Sequence, residues 1–354
     1  MASRRNRLKL KPLREQVIVI TGATSGIGLS TARAAAARGA SLVLAARNET
    51  ALKSVCEDLS NKGAKTAYVV ADVGREDDVH AIAQAAIDRF GGFDTWVNDA
   101  GVSVFGSLME TPIDDQRRLF DTNYWGVVYG SRAAVEHFRH KPGGGALINL
   151  GSTLGDVALP VQGAYSASKH AVRAFTNVLR MELMRERAPV SVTLIKPAAV
   201  DTPYKDHARN LTDAELRIPP PVYATPLVAQ AILYAAAHPV RELAVGSSGP
   251  ILAFVAGLAP SLTEPMIAII APILQRDPNA AAKVRADNLY QAGADLRERA
   301  YHKGVRQESL YTAAQMRPKA TLMMGLLAGL AAGAALFGGR RLTRKGEPAP
   351  DPAP

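Results

Sequence analysis

A glycine-rich turn near the N-terminus is the feature that most constrains the fold. The β-branched run Val17–Ile20 predicts a buried strand, and residues 27–38 follow it with a helical pattern. Between them stands Thr-Gly-Ala-Thr-Ser-Gly-Ile-Gly at 21–28. Glycines let the backbone turn tightly, and a helix N-terminus presents free N–H groups to an anion. The segment therefore predicts a strand–turn–helix unit that binds a pyrophosphate.

Strand and helix patterns alternate along the next two hundred residues or so. This spacing gives right-handed crossovers, so the chain is predicted to be an α/β protein with a doubly wound, Rossmann-like parallel sheet. The predicted strands are residues 17–20, 41–46, 66–70, 95–97, 146–150 and 190–195, with 241–245 as a further candidate. The predicted helices are residues 27–38, 49–59, 77–90 and 165–187.

Composition argues against several classes of protein. The net charge of +10 is concentrated at the two ends of the chain, which argues against a nucleic-acid surface spread over the fold and suits termini near an anionic membrane. Cys56 is the single cysteine, so no intrachain disulfide can form and a reducing, cytoplasmic location is expected. His137 and His140 lack a cysteine or carboxylate cluster beside them, so no metal is predicted.

Three residues predict a proton-transfer site. Tyr165 and Lys169 stand four residues apart, the spacing that a helix places on one face. A free tyrosine has a pKa near ~10, and a neighbouring positive charge favours the phenolate and lowers that pKa. Ser152 lies upstream and could hold a carbonyl or alcohol oxygen against the phenol. The trio is thus suited to general acid/base catalysis.

The end of the second predicted strand bears on the choice of dinucleotide. A carboxylate there binds the ribose 2′-hydroxyl of NAD, whereas an arginine accepts the 2′-phosphate of NADP. The chain has Ala45-Ala46-Arg47 at this point and no carboxylate before Glu49. Arg47 can grip a phosphate with two N–H groups, which favours NADP(H) over NAD(H). The alternative is a solvated arginine at the start of a helix.

Taken together, these motifs resemble those of the short-chain dehydrogenase/reductase superfamily over residues 14–250. The motifs that carry the resemblance, in family order, are the turn at 21–28, Asp72-Val73, Asn98-Asp99-Ala100-Gly101, Asn123, Ser152 and the pair Tyr165/Lys169.

The resemblance implies a role for each of these residues. Tyr165 would be the general acid/base, and Lys169 would lower its pKa and hold the nicotinamide ribose. Ser152 would position the substrate oxygen, and Asn123 would maintain a water relay to the lysine. The implied cofactor contacts are Gly22, Thr24, Ser25, Gly26, Ile27, Gly28, Arg47, Asp72, Val73, Asn98, Ala100, Gly101, Tyr165, Lys169, Val200 and Thr202.

Two positions depart from the family pattern. Asp99 stands where a second asparagine is common, and we expect altered hydrogen bonding in the sheet there while Asn98 keeps the cofactor contact. Ala198 follows Pro197 where glycine is usual, and must adopt a conformation that glycine accepts more easily. Neither change removes a catalytic group, but both could alter the fit of the nicotinamide.

The chain divides by composition into five segments. A basic N-terminal tail (1–13) precedes the catalytic domain (14–250), which includes a proline-rich loop at 203–226 of the kind that covers a binding site. Residues 251–319 are predicted to be a helical extension, apolar over 251–274 but interrupted by prolines. A candidate membrane helix (320–339) and a basic, proline-rich tail (340–354) follow.

The segment 320–339 is uncharged and long enough to cross a bilayer, with small residues every four positions. Association with a membrane is predicted, with 251–274 as a second apolar contact. The alternative is a helix docked on protein. The basic residues that follow this segment argue against simple spanning from a cytoplasmic domain.

The sequence therefore predicts an oxidoreductase that transfers a hydride between NADP(H) and a carbonyl/secondary alcohol pair, on a hydrophobic small molecule. The predicted location is the cytoplasm, with the catalytic domain held at a membrane by its C-terminus. A homo-oligomer is compatible with this sequence. The alternative function is an NADP(H)-binding sensor or scaffold without turnover.

Overall fold

A seven-stranded parallel sheet forms the centre of the protein, whose computed structural model describes residues 8–282, 285–293 and 296–317. The strands are β1 (Val17–Thr21), β2 (Ser41–Ala46), β3 (Thr66–Val70), β4 (Thr95–Asn98), β5 (Val104–Phe105), β6 (Gly145–Leu150), β7 (Val190–Pro197), β8 (Arg209–Asn210), β9 (Ala214–Leu216), β10 (Glu242–Val245) and β11 (Arg276–Ala281). The sheet has the order β10-β7-β6-β4-β1-β2-β3.

The helices connect the strands and cover the sheet. They are α1 (Gly26–Ala36), α2 (Glu49–Asn61), α3 (Glu76–Phe90), α4 (Ile113–Phe120), α5 (Gly126–His140), α6 (Gly163–Glu186), α7 (Tyr204–His207), α8 (Thr225–Ala237), α9 (Ser248–Leu258), α10 (Pro260–Gln275) and α11 (Leu310–Met316). The chain separates into two units, Met1–Thr312 and Ala313–Pro354. All of these elements lie in the first unit except the end of α11.

The direction in which successive strands are added reverses in the middle of the sheet, between β1 and β4. From β1 the chain proceeds outward through β2 to β3, and it then returns to β4 and proceeds the other way through β6, β7 and β10. Right-handed crossovers therefore place the helices of the two halves on opposite faces. The crevice at the carboxyl ends of β1 and β4, where the direction reverses, is the place at which such sheets bind ligands.

Because both faces of the sheet are covered, its central strands are buried and mostly apolar. Ile18, Val19 and Ile20 in β1 are inaccessible to solvent, as are Leu42–Leu44 in β2. Trp96 in β4 packs against Phe93, with ring centroids 5.4 Å apart. The predicted parallel α/β sheet is confirmed, and two of its strands, β2 and β3, have the predicted bounds.

The extension after residue 250 differs from the prediction of a helical segment. It begins with α9 and α10, but β11 then pairs antiparallel with β9, and the described chain up to Ser309 has no helix. Of the three prolines within residues 251–274, Pro260 alone lies at a helix boundary. It is the first residue of α10, a position where proline is favoured. Pro265 and Pro272 lie inside α10, where each removes one backbone hydrogen bond without ending the helix.

The predicted loop at 203–226 carries short elements of its own. It contains α7, β8 and β9, and β8 pairs with β5 while β9 pairs with β11. Within the described ranges, no helix combines the length and hydropathy needed to cross a bilayer. The candidate membrane helix at 320–339 lies outside the described residues.

Candidate active site

A cavity of about 560 Å³ lies at the carboxyl ends of the central strands. This size falls within the range of small-molecule sites. The predicted residues that line it are Gly22, Thr24, Ser25, Gly26, Ile27, Arg47, Asp72, Val73, Ala100, Gly101, Ser152, Tyr165, Lys169, Val200 and Thr202. Among the residues that the structure describes, no group of three His, Cys, Asp or Glu side chains could hold a metal ion.

The glycine-rich turn forms one wall of this cavity. Gly22 has a φ of +70°, the left-handed region that favours glycine. A Cβ on Gly28 would stand 2.3 Å from the Gly22 carbonyl oxygen and 2.7 Å from Asp99 Oδ2, so no side chain fits there. The hydroxyl of Thr21 accepts hydrogen bonds from the N–H groups of Asp99 and Ala100 at 3.1 and 3.2 Å. The turn is thereby fastened to the end of β4, and Gly26 and Ile27 at the start of α1 line the cavity.

The three residues predicted to transfer protons come together on a second wall. Tyr165 and Lys169 lie one turn apart in the first part of α6, and the Lys169 Nζ is 5.7 Å from the centroid of the Tyr165 ring. Lys169 also donates a hydrogen bond of 2.9 Å to the carbonyl oxygen of Leu150, the last residue of β6. Ser152 follows that strand, and its hydroxyl accepts a 3.0 Å hydrogen bond from the N–H of Leu154. The trio therefore joins the sheet edge to α6.

Burial dominates the acidity of this site, which differs from the prediction. It raises the pKa of Tyr165 to about 12, and hydrogen bonds with Ser152 and Tyr204 offset only part of the rise. Burial also lowers the pKa of Lys169 to about 8, although the carboxylate of Asp99 acts in the opposite direction. We expected Lys169 to lower the pKa of Tyr165, but in this structure the loss of solvation outweighs it. Tyr165 is accordingly a neutral phenol, a proton donor.

A second tyrosine, which the sequence did not single out, adjoins Tyr165. The Tyr204 ring meets the Tyr165 ring edge to face, with centroids 5.6 Å apart. Its hydroxyl donates to Ser103 Oγ at 2.7 Å and accepts from Gln162 Nε2 at 2.8 Å. These residues come from three distant parts of the chain, so no local motif marks them. The one available signal is that Tyr204 lies in the loop predicted to cover the site.

The sequence model of the short chain dehydrogenase family matches residues 16–212, more than half of the chain. This chain belongs to the short-chain dehydrogenase/reductase family. It is 46% identical over 332 residues to an uncharacterized oxidoreductase, YxnA, of Bacillus subtilis (strain 168), with 93% of each chain covered. It is 32% identical over 267 residues to dehydrogenase/reductase SDR family member 7B of Xenopus tropicalis, covering 71% of this chain and 84% of that protein.

Solved structures agree with this assignment. A short-chain dehydrogenase/reductase from Burkholderia phymatum in complex with NAD is 26% identical with a TM-score of 0.65, covering 78% of this chain and 100% of that one. An alcohol dehydrogenase from the archaeon Thermococcus sibiricus, complexed with 5-hydroxy-NADP, is 26% identical with a TM-score of 0.57, covering 65% and 95%. The chain is therefore an oxidoreductase of a family whose members include NAD- and NADP-bound enzymes.

Within this family frame, Asn98 and Asp99 lie in different surroundings. The Asn98 side chain accepts a 2.7 Å hydrogen bond from Trp96 Nε1 and donates one of 2.9 Å to Asn149 Oδ1 in β6. It is buried within the sheet and does not line the cavity, and the predicted cofactor contact of Asn98 stays a prediction. Asp99 lines the cavity instead, because successive residues of a strand point to opposite sides.

Burial raises the pKa of the Asp99 carboxyl to about 7, although the charge of Lys169 and the N–H of Gly28 favour its ionised form. The substitution of aspartate for the usual asparagine thus introduces a titratable group that interacts with both the glycine turn and Lys169. Its effect is on charge in the cavity, whereas we had expected an effect on hydrogen bonding in the sheet.

Asn123 lies outside the cavity and forms hydrogen bonds with residues next to it. The backbone over Asp121–Trp125 is a π-helix, and the Asn123 amide accepts from the Val102 N–H at 2.8 Å and donates to the Val102 carbonyl at 3.0 Å. It also donates to Ser168 Oγ at 3.2 Å. Asn123 and Gly28 do not line the cavity. The water relay to Lys169 stays a prediction.

The second departure from the family pattern requires no special backbone. Ala198 is absent from the non-glycine residues with positive φ, so the expected glycine-like conformation is not found. Its N–H donates a 2.9 Å hydrogen bond to the Val245 carbonyl, which continues the pairing of β7 with β10. Alanine is therefore accommodated here as ordinary extended chain.

Residues of the C-terminal extension cover the Arg47 end of the cavity. We name Asn288–Gly293 the strap. The Arg47 guanidinium, predicted to bind a phosphate, donates to the main-chain carbonyls of the first four strap residues, at 3.2–3.3 Å for three of them. Arg118 donates to the Leu289 carbonyl at 3.0 Å and pairs with Asp72. The strap therefore lies against the residues predicted to hold the adenosine.

The strap is held by packing as well as by hydrogen bonds. The side chain of Leu289 is fully buried in a cluster with Val102, Val104, Leu119 and Ala164. Farther along, the carbonyl oxygen of residue 297 accepts a 2.9 Å hydrogen bond from the N–H of residue 26 in the glycine turn. Sequence reasoning missed this segment because polar and small residues surround its single leucine.

Proposed function

We propose that the chain catalyses reversible hydride transfer between NADP(H) and a carbonyl/secondary alcohol pair, with Tyr165 as the general acid/base. The observation that carries the proposal is the Tyr165 phenol, which lines one cavity with Ser152, Lys169 and the glycine turn and lies one helical turn from the Lys169 ammonium. The turn supplies a cradle that no side chain fills at Gly22 and Gly28. These features fit a dinucleotide with its pyrophosphate at the start of α1.

The proposed steps use groups that are already adjacent. A substrate carbonyl oxygen lies against the Ser152 hydroxyl and the Tyr165 phenol. When bound, the reduced cofactor supplies the hydride to the carbonyl carbon. As negative charge develops on the oxygen, Tyr165 passes its proton to it, and the phenolate that remains is stabilised by the Lys169 ammonium. Oxidation of an alcohol is the reverse of these steps.

The pKa of Tyr165 matches the protonated form that the reduction step uses. A phenol whose pKa is about 12 stays protonated at neutral pH, and it is still more acidic than the alcohol that forms. It can therefore donate its proton to the developing alkoxide without prior activation. Oxidation would first need the phenolate, which burial disfavours.

The preference for NADP(H) is proposed from Arg47, which lines the cavity with no carboxylate beside it in β2. A 2′-phosphate would have to replace some of the strap carbonyls on the guanidinium, and it is the better partner because it is charged. Arg47→Ala should weaken NADPH binding at least tenfold while changing NADH binding little, measured by fluorescence titration. Equal losses for both cofactors would contradict this preference.

A hydrophobic substrate is proposed from a set of apolar residues that line the cavity, which we name its apolar wall. The members of this wall are Leu159, Ile218, Leu252, Met266, Ile270 and Leu274. Such a lining favours aliphatic or polycyclic ketones over small polar ones. This composition also agrees with the hydrophobic small-molecule substrate that the sequence predicts.

Incubation with NADPH and a panel of apolar ketones and aldehydes tests the proposed function. We expect NADPH consumption matched by formation of the corresponding alcohol. The competing proposal is a sensor or scaffold that binds the cofactor without turnover. Tight NADPH binding without consumption across the panel would favour that competitor, whereas the complete catalytic trio favours the enzyme.

For residues 320–339 we propose membrane association, which rests on the uncharged sequence alone. Fractionation of the full chain and of a version that ends at Arg317 tests it. The full chain should sediment with membranes to a greater extent than the shortened one. Equal distribution of the two would remove this proposal.

A further inference from the structure

The helices α9 and α10, which we name the apolar helix pair, expose an unusual amount of hydrophobic side chain. Over Ser248–Gln275 the only charged residue is Glu264. The most exposed apolar side chains, each with at least 61% of its surface accessible, are Ile251, Phe254, Leu258, Leu262, Ile269 and Ile273. Exposed patches of this size on soluble proteins mark a binding surface.

The pair is anchored at its two ends and free at its centre. At one end Gly249 is buried so closely against Thr153 that a Cβ would meet its Oγ1 at 2.4 Å. At the other end Gln275 donates to the Pro160 carbonyl at 3.1 Å and is itself buried. Between these anchors, the junction of the two helices exposes 74% of Leu258 and 76% of Leu262.

The exposure extends around most of α10. Its buried residues, Thr263, Ala271 and Gln275, are spaced by multiples of four and so share one narrow stripe. The remaining circumference is accessible and carries leucine, isoleucine and methionine. A helix that is apolar nearly all round matches an apolar solvent, whereas the surface of another protein would cover one side of it.

The same pair also lines the catalytic cavity. Leu252 from α9 and Met266, Ile270 and Leu274 from α10 line the cavity together with Tyr165. Their outward neighbours are the exposed residues of the pair. An apolar surface is thus continuous from the outside of the protein to the cavity, as expected where an apolar molecule enters from lipid.

From these observations we infer that the apolar helix pair inserts into one leaflet of a lipid bilayer and that the cavity opens toward that leaflet. With 11 and 16 residues, α9 and α10 are roughly 17 and 24 Å long, less than the roughly 30 Å of a bilayer core. They are long enough for the interfacial insertion of apolar helices. The observations that carry this inference all lie outside residues 320–339.

A tryptophan reporter tests insertion of the pair itself in the full chain. Phe254→Trp places the reporter on α9, and Met184→Trp places the matched control on an exposed position at the far end of α6. Vesicles of zwitterionic phosphatidylcholine with brominated acyl chains should quench the first reporter roughly twofold more than the second. The native Trp96 and Trp125 contribute equally to both variants.

A pair of double variants tests whether the exposed side chains cause the insertion. In the Phe254→Trp chain, Leu258→Glu/Leu262→Glu should abolish the extra quenching and Met181→Glu/Met184→Glu should not, although both add two carboxylates. Because insertion is hydrophobic, the quenching should persist at high salt.

Two results would overturn the inference. One is a Phe254→Trp signal no more sensitive to brominated lipid than the Met184→Trp signal, as expected if a second copy or residues 320–339 cover the pair. The other result concerns the Leu258→Glu/Leu262→Glu variant. If its molecular mass in solution were half that of the parent Phe254→Trp chain and its quenching were unchanged, the surface would be assigned to self-association.

Discussion

Replacement of Asp99 by asparagine probes the charge that this chain places near Lys169. Burial raises the pKa of the Asp99 carboxyl from 3.8 to about 7. The folded protein therefore binds this proton more tightly than the unfolded chain does. Asp99 is neutral in the folded and the unfolded state below about pH 4. Between about pH 4 and pH 7 the unfolded chain loses this proton while the folded protein keeps it, so the free energy of unfolding falls as the pH rises.

The size of the effect follows from the two pKa values. The interval from 3.8 to about 7 corresponds to about 4 kcal/mol at pH 8. This is an upper limit, because removal of the Asp99 charge also lowers the pKa of Lys169 further below about 8. An asparagine side chain at this position cannot ionise, so Asp99→Asn should gain stability over the wild type by up to ~1.4 kcal/mol per pH unit between about pH 5 and pH 7.

Urea unfolding followed by circular dichroism across this pH range measures the difference. Asp94→Asn is the control, since hydrogen bonds from Lys11, Lys141 and the Val17 N–H outweigh burial and lower the pKa of Asp94. That stabilisation is present above pH ~4, so the control should be less stable than the wild type by a constant amount from pH 5 upward. A stability difference for Asp99→Asn that is flat with pH, or negative at pH 8, would refute the reasoning.

Three further predictions concern turnover and the strap. Ketone reduction should slow above pH ~8, where Lys169 loses its proton, and a pH–rate profile that is flat to about pH 10 would contradict this. Tyr204→Phe should lower kcat about tenfold with little change in NADPH affinity, because the Tyr204 hydroxyl lowers the pKa of Tyr165; unchanged steady-state kinetics would exclude that role. Leu289→Ala should reduce the free energy of unfolding by about 2–5 kcal/mol in denaturant titrations, and a loss under ~1 kcal/mol would show that the strap is not packed in the core.

Much of the fold could be predicted because its signals are local. The β-branched runs of β1 and β2 and the glycines between strand and helix identify the parallel sheet from short stretches of sequence. Helix α8 gave no such signal, since most of its residues are apolar and buried, and it therefore lacks an alternation of polar and apolar faces. The strap has a single apolar anchor and escapes detection for the opposite reason.

The site was predictable where one element holds two groups, as α6 holds Tyr165 and Lys169. It was not predictable where distant segments meet. Tyr204 reaches Ser103 across about a hundred residues, and Arg47 reaches the strap across more than two hundred. The predicted direction of the Tyr165 pKa shift was also wrong. The sequence shows that a positive charge lies one helical turn away, but it does not show how deeply the phenol is buried.

The turnover of Tyr165→Phe tests the central claim most directly. The variant keeps the ring that packs against Tyr204 and loses only the hydroxyl that carries the proton. With NADPH and a ketone that the wild type reduces, kcat should fall at least ~100-fold. Turnover equal to that of the wild type would contradict the assignment of Tyr165 as the general acid/base.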